Sequence, residues 1–149
     1  MATAIIRENI AKKLSFIRES TLTAKFDFQM IKAAKESGYR VALLYVGVNK
    51  VEISINRVKR RHESGGHSVP EEDIRRRYVR SLENLPEAIR LADTAIIFDN
   101  SGKKYKQIAL FEKGRLMSHT SPPEWFKKTL ETFLPPKKKE RTRSSSFEF

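Results

Sequence analysis

The densest run of residues able to do chemistry lies between Arg57 and Leu85. Between Arg57 and Arg80 stand eight Lys or Arg, at 57, 59, 60, 61, 75, 76, 77 and 80. Only four acids accompany them, Glu63, Glu71, Glu72 and Asp73. A guanidinium presents a planar fork that meets phosphate oxygens two at a time. Gly65-Gly66-His67 separates the two basic stretches, and Ser68-Val69-Pro70-Glu71 has capping-box spacing with Pro70 in the first turn of a helix. With Ile74 at the centre of that helix's buried face, Ser81 falls about 20° away, Tyr78 about 40° and Arg77 about 60°. Arg75, Arg76 and Arg80 point further outward. Arg77 then borders the buried face, where a guanidinium is held rigid. The pattern suits a phosphate-clamping lid of two basic helices on a Gly-Gly hinge; a solvated charged face has the same composition.

Other candidates are single residues or short turns. His67, between the glycine pair and a helix start, is placed to bind phosphate or move a proton, although a lone loop histidine often does neither. His62 and His119 have weaker claims. No two histidines have metal-ligand spacing with a carboxylate, so no metal site is expected. Glu19, Ser20 and Thr21 follow an apolar run read as a strand, and ligand groups sit at strand ends in open α/β sheets. A carboxylate there can accept hydrogen bonds from sugar hydroxyls; a plain helix-entry turn is the alternative. Asp99-Asn100-Ser101-Gly102 reads the same two ways, as a base or ribose contact or as an ordinary turn.

The elements that must position these groups alternate between helix and strand. Ile6, Ile10 and Leu14 repeat every four residues, as a helical stripe does. Leu14–Ile17 predicts a short strand. A helix over about Asp27 to Ser37 follows, with Phe26, Met30 and Ala34 inward and Gly38 at its C-terminal cap. Val41–Val46 is continuously apolar, the signature of a strand buried on both faces of a parallel sheet. Val51, Ile55 and Val58 mark a third helix, and Ile74, Tyr78 and Leu82 the next. Ala95–Phe98 predicts another buried strand. Gln107–Phe111 and Arg115–Met117 flank Lys113-Gly114 as a hairpin. Pro122-Pro123-Glu124 opens a last helix carrying Trp125, Leu130 and Phe133. The expectation is one α/β domain over residues 1–134, and from Pro135 a disordered tail, basic and Ser-rich.

Composition bounds the function. Thirty Lys and Arg against 18 Asp and Glu give a net charge of +12 over 149 residues, which favours phosphate-bearing partners. The residues of the expected lid and tail each hold part of that excess. Cysteine is absent, which excludes disulfides, thiolate metal sites and a cysteine nucleophile. No apolar run approaches the ~20 residues that span a bilayer. The N-terminus lacks a secretory apolar stretch, and Glu8 interrupts its early basic helix against a mitochondrial presequence, so a cytoplasmic setting is expected.

Four stretches together, SFIRESTLT (15–23), GYRVALLYVG (38–47), GGHSVPEEDIRRRYVRSLENLPEAI (65–89) and ADTAIIFDNSG (92–102), resemble zeta-toxin-type P-loop kinases. That group includes UDP-N-acetylglucosamine kinases and bacterial proteins labelled predicted ABC-type ATPase. The resemblance spans roughly Arg7 to Leu134. It implies an incomplete P-loop-kinase-like parallel sheet flanked by helices, with a C-terminal hairpin and helix. It further implies ATP- and Mg2+-dependent phosphorylation of a nucleotide-sugar, a reaction governed by positioning and charge neutralisation. Arg77 and Arg80 are then the lid arginines that meet the transferring phosphate. Glu19, Thr21 and His67 become substrate contacts, and Asn100 and Ser101 nucleotide contacts. An antitoxin-like or complementing chain is an expected partner, and nucleic acid an alternative one. Yet none of the six glycines (38, 47, 65, 66, 102 and 114) supplies the G-x-x-x-x-G-K-[ST] pattern of a P-loop. The family's catalytic Asp has no counterpart either. The expectation is a truncated chain, inactive alone, whose missing P-loop strand would lie between Leu14–Ile17 and Val41–Val46.

Overall fold

A computed structural model describes residues 2–137. The elements run α1 (Ala2–Ala11), α2 (Lys25–Glu36), β1 (Ala42–Gly47), α3 (Val51–Glu63), α4 (Glu71–Leu91), β2 (Thr94–Asp99), β3 (Lys106–Glu112), β4 (Arg115–His119) and α5 (Glu124–Glu131). The α/β class is as expected. The four strands form one sheet in the order β1-β2-β3-β4. Only β1 and β2 are parallel, joined by the crossover through α3 and α4. β3 and β4 are antiparallel additions, so the sheet is mixed rather than parallel. The β3–β4 hairpin turns at Lys113 and Gly114, both at positive φ (50° and 73°), the pair of values a type I′ turn demands.

The core forms where α4 and α5 press on one face of this sheet. Leu85, Ala88 and Ile89 of α4 and Trp125, Phe126 and Leu130 of α5 meet Ala95, Ile97, Ala109 and Phe111. Phe133, just past α5, sets its ring edge against Phe111 at 4.8 Å. α4 continues through Pro86 to Leu91, with Glu71, Glu72 and Asp73 in its first turn complementing the helix dipole.

Several expectations are corrected. Leu14–Ile17 pairs with no strand: Ile17 is 97% exposed, and Phe16 packs edge-on against Tyr39 at 6.0 Å. α1 ends before Leu14, and Lys13 takes a left-handed φ of 54° that turns the chain away. β1 is buried on one face only. Leu43 and Tyr45 pack inward, while Leu44 (64% exposed) and Val46 (48%) face out, because the helices cover a single side. In α2 the inward residues are Asp27, Phe28 and Ala34, and Phe26 and Met30 instead line a groove against α1. Pro70 stands at the cap of α4, and Ser68 closes no capping box. The buried part of α4 is its C-terminal half, so Ile74 is half-buried and Arg77 exposed. Of the expected tail, residues 138–149 lie outside the described residues.

Gly47 is set by sterics. A Cβ there would stand 2.5 Å from Trp125 Cζ2, far inside contact distance. Gly47→Ala is therefore expected to destabilise the fold by about 1–3 kcal/mol, the usual range for overpacking. Urea unfolding followed by circular dichroism checks it; an unchanged midpoint would mean the indole moves aside freely.

Candidate functional site

Three side chains lash α4 to the end of β1 and to the segment before α2. Tyr78 Oη donates to the Val48 carbonyl at 2.9 Å. The Tyr45 and Ser81 hydroxyls share a hydrogen bond at 2.9 Å, and burial raises the Tyr45 pKa while that bond partly offsets the rise. Asn84 Nδ2 donates to the Leu22 carbonyl at 2.8 Å. Round the same helix, Arg77 lies about 20° and Arg80 about 40° from Asn84. Both therefore occupy the stripe that Asn84 turns toward the 18–24 segment. Both are exposed, and neither enters an ion pair among the described residues.

The 18–24 segment is fixed from within. Leu22 adopts a left-handed φ of 56° and buries its side chain, and its N–H donates to Ser20 Oγ at 2.9 Å. That turn leaves Glu19 and Thr21 exposed, with the Thr21 and Thr23 hydroxyls sharing a bond at 2.9 Å. Arg18 bonds buried Asp27 and stacks over Phe26 at 5.2 Å. Asp27 Oδ2 also accepts from the Ala24 N–H at 3.3 Å, closing the start of α2. Burial alone would raise the Asp27 pKa; hydrogen bonds from Arg18, Ser20 and Ala24 hold it below the ordinary carboxylate value. Tyr39 Oη lies 2.9 Å from the Asn9 carbonyl and 3.0 Å from that of Leu14, tying the upstream end down.

The expected hinge is more tightly bound than glycines suggest. Gly66 N–H donates to Arg61 O at 2.8 Å and Gly65 N–H to His62 O at 3.0 Å, so the pair caps α3. Arg75 bridges Glu71 (2.7 Å) and Glu52 (3.3 Å), pinning α4 to α3. Glu71 is held below its ordinary pKa first by that bond, and Glu52 by its own backbone N–H and then Arg75. Arg76 is taken by Asp73 at 2.7 Å. His67 is exposed four residues before the α4 start, and Arg80 stands nine residues, or about 14 Å of helix, beyond that start.

At the end of β2 a compact network governs the 99–102 turn. Asp99 Oδ1 accepts from Trp125 Nε1 at 2.9 Å and from Ser101 Oγ at 2.6 Å. Ser101 Oγ in turn accepts the Asn49 N–H at 2.8 Å. Arg57 donates to the carbonyls of Asn100 (2.7 Å) and Gly102 (3.4 Å). The Ser101 hydroxyl thus holds the turn, while the half-buried Asn100 side chain has no hydrogen-bond partner among the described residues. Asn84, on the stripe of Arg77 and Arg80, is bonded to Leu22, the residue after Thr21 and three after Glu19, whereas the 99–102 turn is held by Asn49, Arg57 and Trp125. Tyr45, Tyr78, Asn84, Arg57 and Trp125 were not singled out as positioning groups by residue type. Their signal is polar tips on otherwise apolar stripes, which need partners once buried.

The family zeta toxin matches residues 1–108. An uncharacterised protein of Haemophilus influenzae is 44% identical over 69 residues, which are 46% of this chain and 49% of that protein. The matched residues thus span about half the length of this curated relative. No solved structure matches.

Because the folded pKa of Asp27 is lowered, its contribution is full above the unfolded value near 3.9 and is lost as pH falls through the folded value. Asp27→Asn is expected to lose about 1–2 kcal/mol at pH 7 and less at pH 3. Urea titrations at both pH values decide it; an equal deficit at the two would remove the carboxylate from the account.

Proposed function

The chain belongs to the zeta toxin family, and on that premise we propose that it carries the acceptor side of a phosphotransferase acting on a nucleotide-sugar such as UDP-N-acetylglucosamine. The observation that carries this reading is the α4 stripe of Arg77, Arg80 and Asn84, tethered at Leu22 beside Glu19 and Thr21. Two unpaired guanidiniums there would meet phosphate oxygens, and Glu19 and Thr21 would accept or donate to sugar hydroxyls. Asn100 and Ser101 lie on the separate 99–102 turn, so their role as nucleotide contacts would concern the phosphoryl-donor nucleotide and not the nucleotide-sugar. His67 would join only if the α3–α4 cap opened.

ATP and Mg2+ belong to this chemistry by family. The 149 residues do not fit that group, because no glycine-rich loop with its Lys and Ser/Thr occurs among them to cradle a triphosphate. No step is routed through it. We infer that these residues bind the nucleotide-sugar and that phosphoryl transfer needs a P-loop beyond the 149 residues, with β1's edge, unpaired among the described residues, and the exposed Leu44 and Val46 available to it. An antitoxin-like partner is a further proposal. No helix among the described residues is long and apolar enough to cross a membrane.

Isothermal titration of the 149-residue chain with UDP-N-acetylglucosamine tests the reading. Arg77→Ala and Arg80→Ala are each expected to weaken binding about tenfold or more, the worth of one charge-assisted hydrogen bond. Both should leave unfolding within about 0.5 kcal/mol of the parent, since these side chains are exposed. Equal affinity in both variants would sink the proposal, and turnover with ATP by the isolated chain would sink its second half.

A further inference from the structure

We propose that α3 and the loop after β2 form a binding surface for single-stranded nucleic acid, separate from the Arg77–Arg80 stripe. The loop is brought to α3 by two contacts already described. Ser101 sits on the Asn49 N–H, and Arg57 holds the Asn100 and Gly102 carbonyls. Immediately beyond Gly102 the chain reads Lys103-Lys104-Tyr105-Lys106, all exposed. Lys50 precedes α3 by one residue, and Arg61 lies one turn beyond Arg57 on nearly the same stripe.

These cations form a face of one sign. None of Lys50, Arg57, Arg61, Lys103, Lys104 and Lys106 has an ion-pair partner among the described residues. Of the neighbouring acids, Glu52 turns to Arg75 and Asp99 is held by Trp125 and Ser101, while Glu63 lies about 120° round α3 from Arg57 and about 160° from Arg61. Glu52 and Lys59 mark the side of α3 that meets α4, and Arg57 and Arg61 lie about 140–180° round from Glu52. The surface therefore points away from the proposed nucleotide-sugar site.

Tyr105 selects the occupant. It is 65% exposed within a run of three lysines, and its ring enters no aromatic pair among the described residues. An exposed aromatic among cations is the arrangement that stacks an unpaired base while flanking charges follow the backbone. A duplex hides its base faces and gains nothing from the ring. The run and the helix stripe together extend over several phosphates, more than one mononucleotide offers.

The test is fluorescence anisotropy of a labelled 12-nucleotide uridine RNA with the 149-residue chain between 50 and 200 mM NaCl. Binding is expected to weaken with salt, with a log–log slope near −0.7 per phosphate engaged, so roughly −3 to −4 for five contacts. Lys103→Ala/Lys104→Ala should make the slope shallower by about 1.4. Tyr105→Ala should weaken binding about fivefold or more with the slope unchanged. UDP-N-acetylglucosamine should not compete. Full binding by both variants would place any affinity elsewhere, such as the basic C-terminal residues, and overturn the proposal. Equal affinity for a duplex of the same length, or full affinity in Tyr105→Ala, would overturn the single-strand assignment.

Discussion

One buried stripe organises this chain: Leu85, Ala88 and Ile89 of α4, with no measurable exposure, set against Ala95 and Ile97 of β2. Burial of side chains this size stabilises by about 1.5–3 kcal/mol for each large residue, which is enough to fix a long helix. Everything polar then hangs from that helix at set heights. Asn84 reaches Leu22, Ser81 reaches Tyr45, Tyr78 reaches Val48, and Arg75 reaches Glu52. The farther from the buried stripe, the more polar the attachment becomes. The N-terminal half of α4 is held by hydrogen bonds, ion pairs and the half-buried Ile74, and exposed ion pairs contribute little each.

That gradient divides the cations by duty. Lys59 and Arg75 pair with acids across α3 and α4, and Arg76 pairs with Asp73 within α4. Arg57 is spent largely on carbonyls of the 99–102 turn. Arg77 and Arg80 on one side and the 103–106 run on the other keep their charge unneutralised. A net charge of +12 is thus neither a uniform coating nor a single patch. Part of it is a structural set between two separate faces available to anions, and the rest lies on other Lys and Arg such as Arg40, Arg60 and Arg115.

The sequence was most legible where one local rule governs. Lys113-Gly114 between two apolar runs announced a hairpin, and Ala95–Phe98 read as a strand, as it is within Thr94–Asp99, where its apolar residues have a sheet neighbour on each side. Leu14–Ile17 has the same composition but no neighbour, so periodicity alone misassigned it. Val41–Val46 read as doubly buried because apolar residues occupy both faces, whereas helices cover just one. Of the candidate site, the residue types of Arg77, Arg80, Glu19 and Thr21 were visible, but their placement was not. That placement depends on Asn84 meeting Leu22 across 62 residues, a contact no local pattern encodes. The glycine pair likewise looked free because its hydrogen bonds run to backbone atoms of α3.

Trp125 is the sole tryptophan, and its indole is wedged against Gly47 at the end of β1 while its N–H is bonded to Asp99 at the end of β2. The protein therefore contains an intrinsic optical probe at the junction of its two parallel strands. Movement of the 99–102 turn would change the polarity and hydrogen bonding around that one fluorophore. No residue of α1 belongs to the buried cluster around Trp125, whereas Leu22 of the 18–24 segment does, so that segment reaches the indole only through the core. Native fluorescence thus reports on the 99–102 turn without any label on the protein.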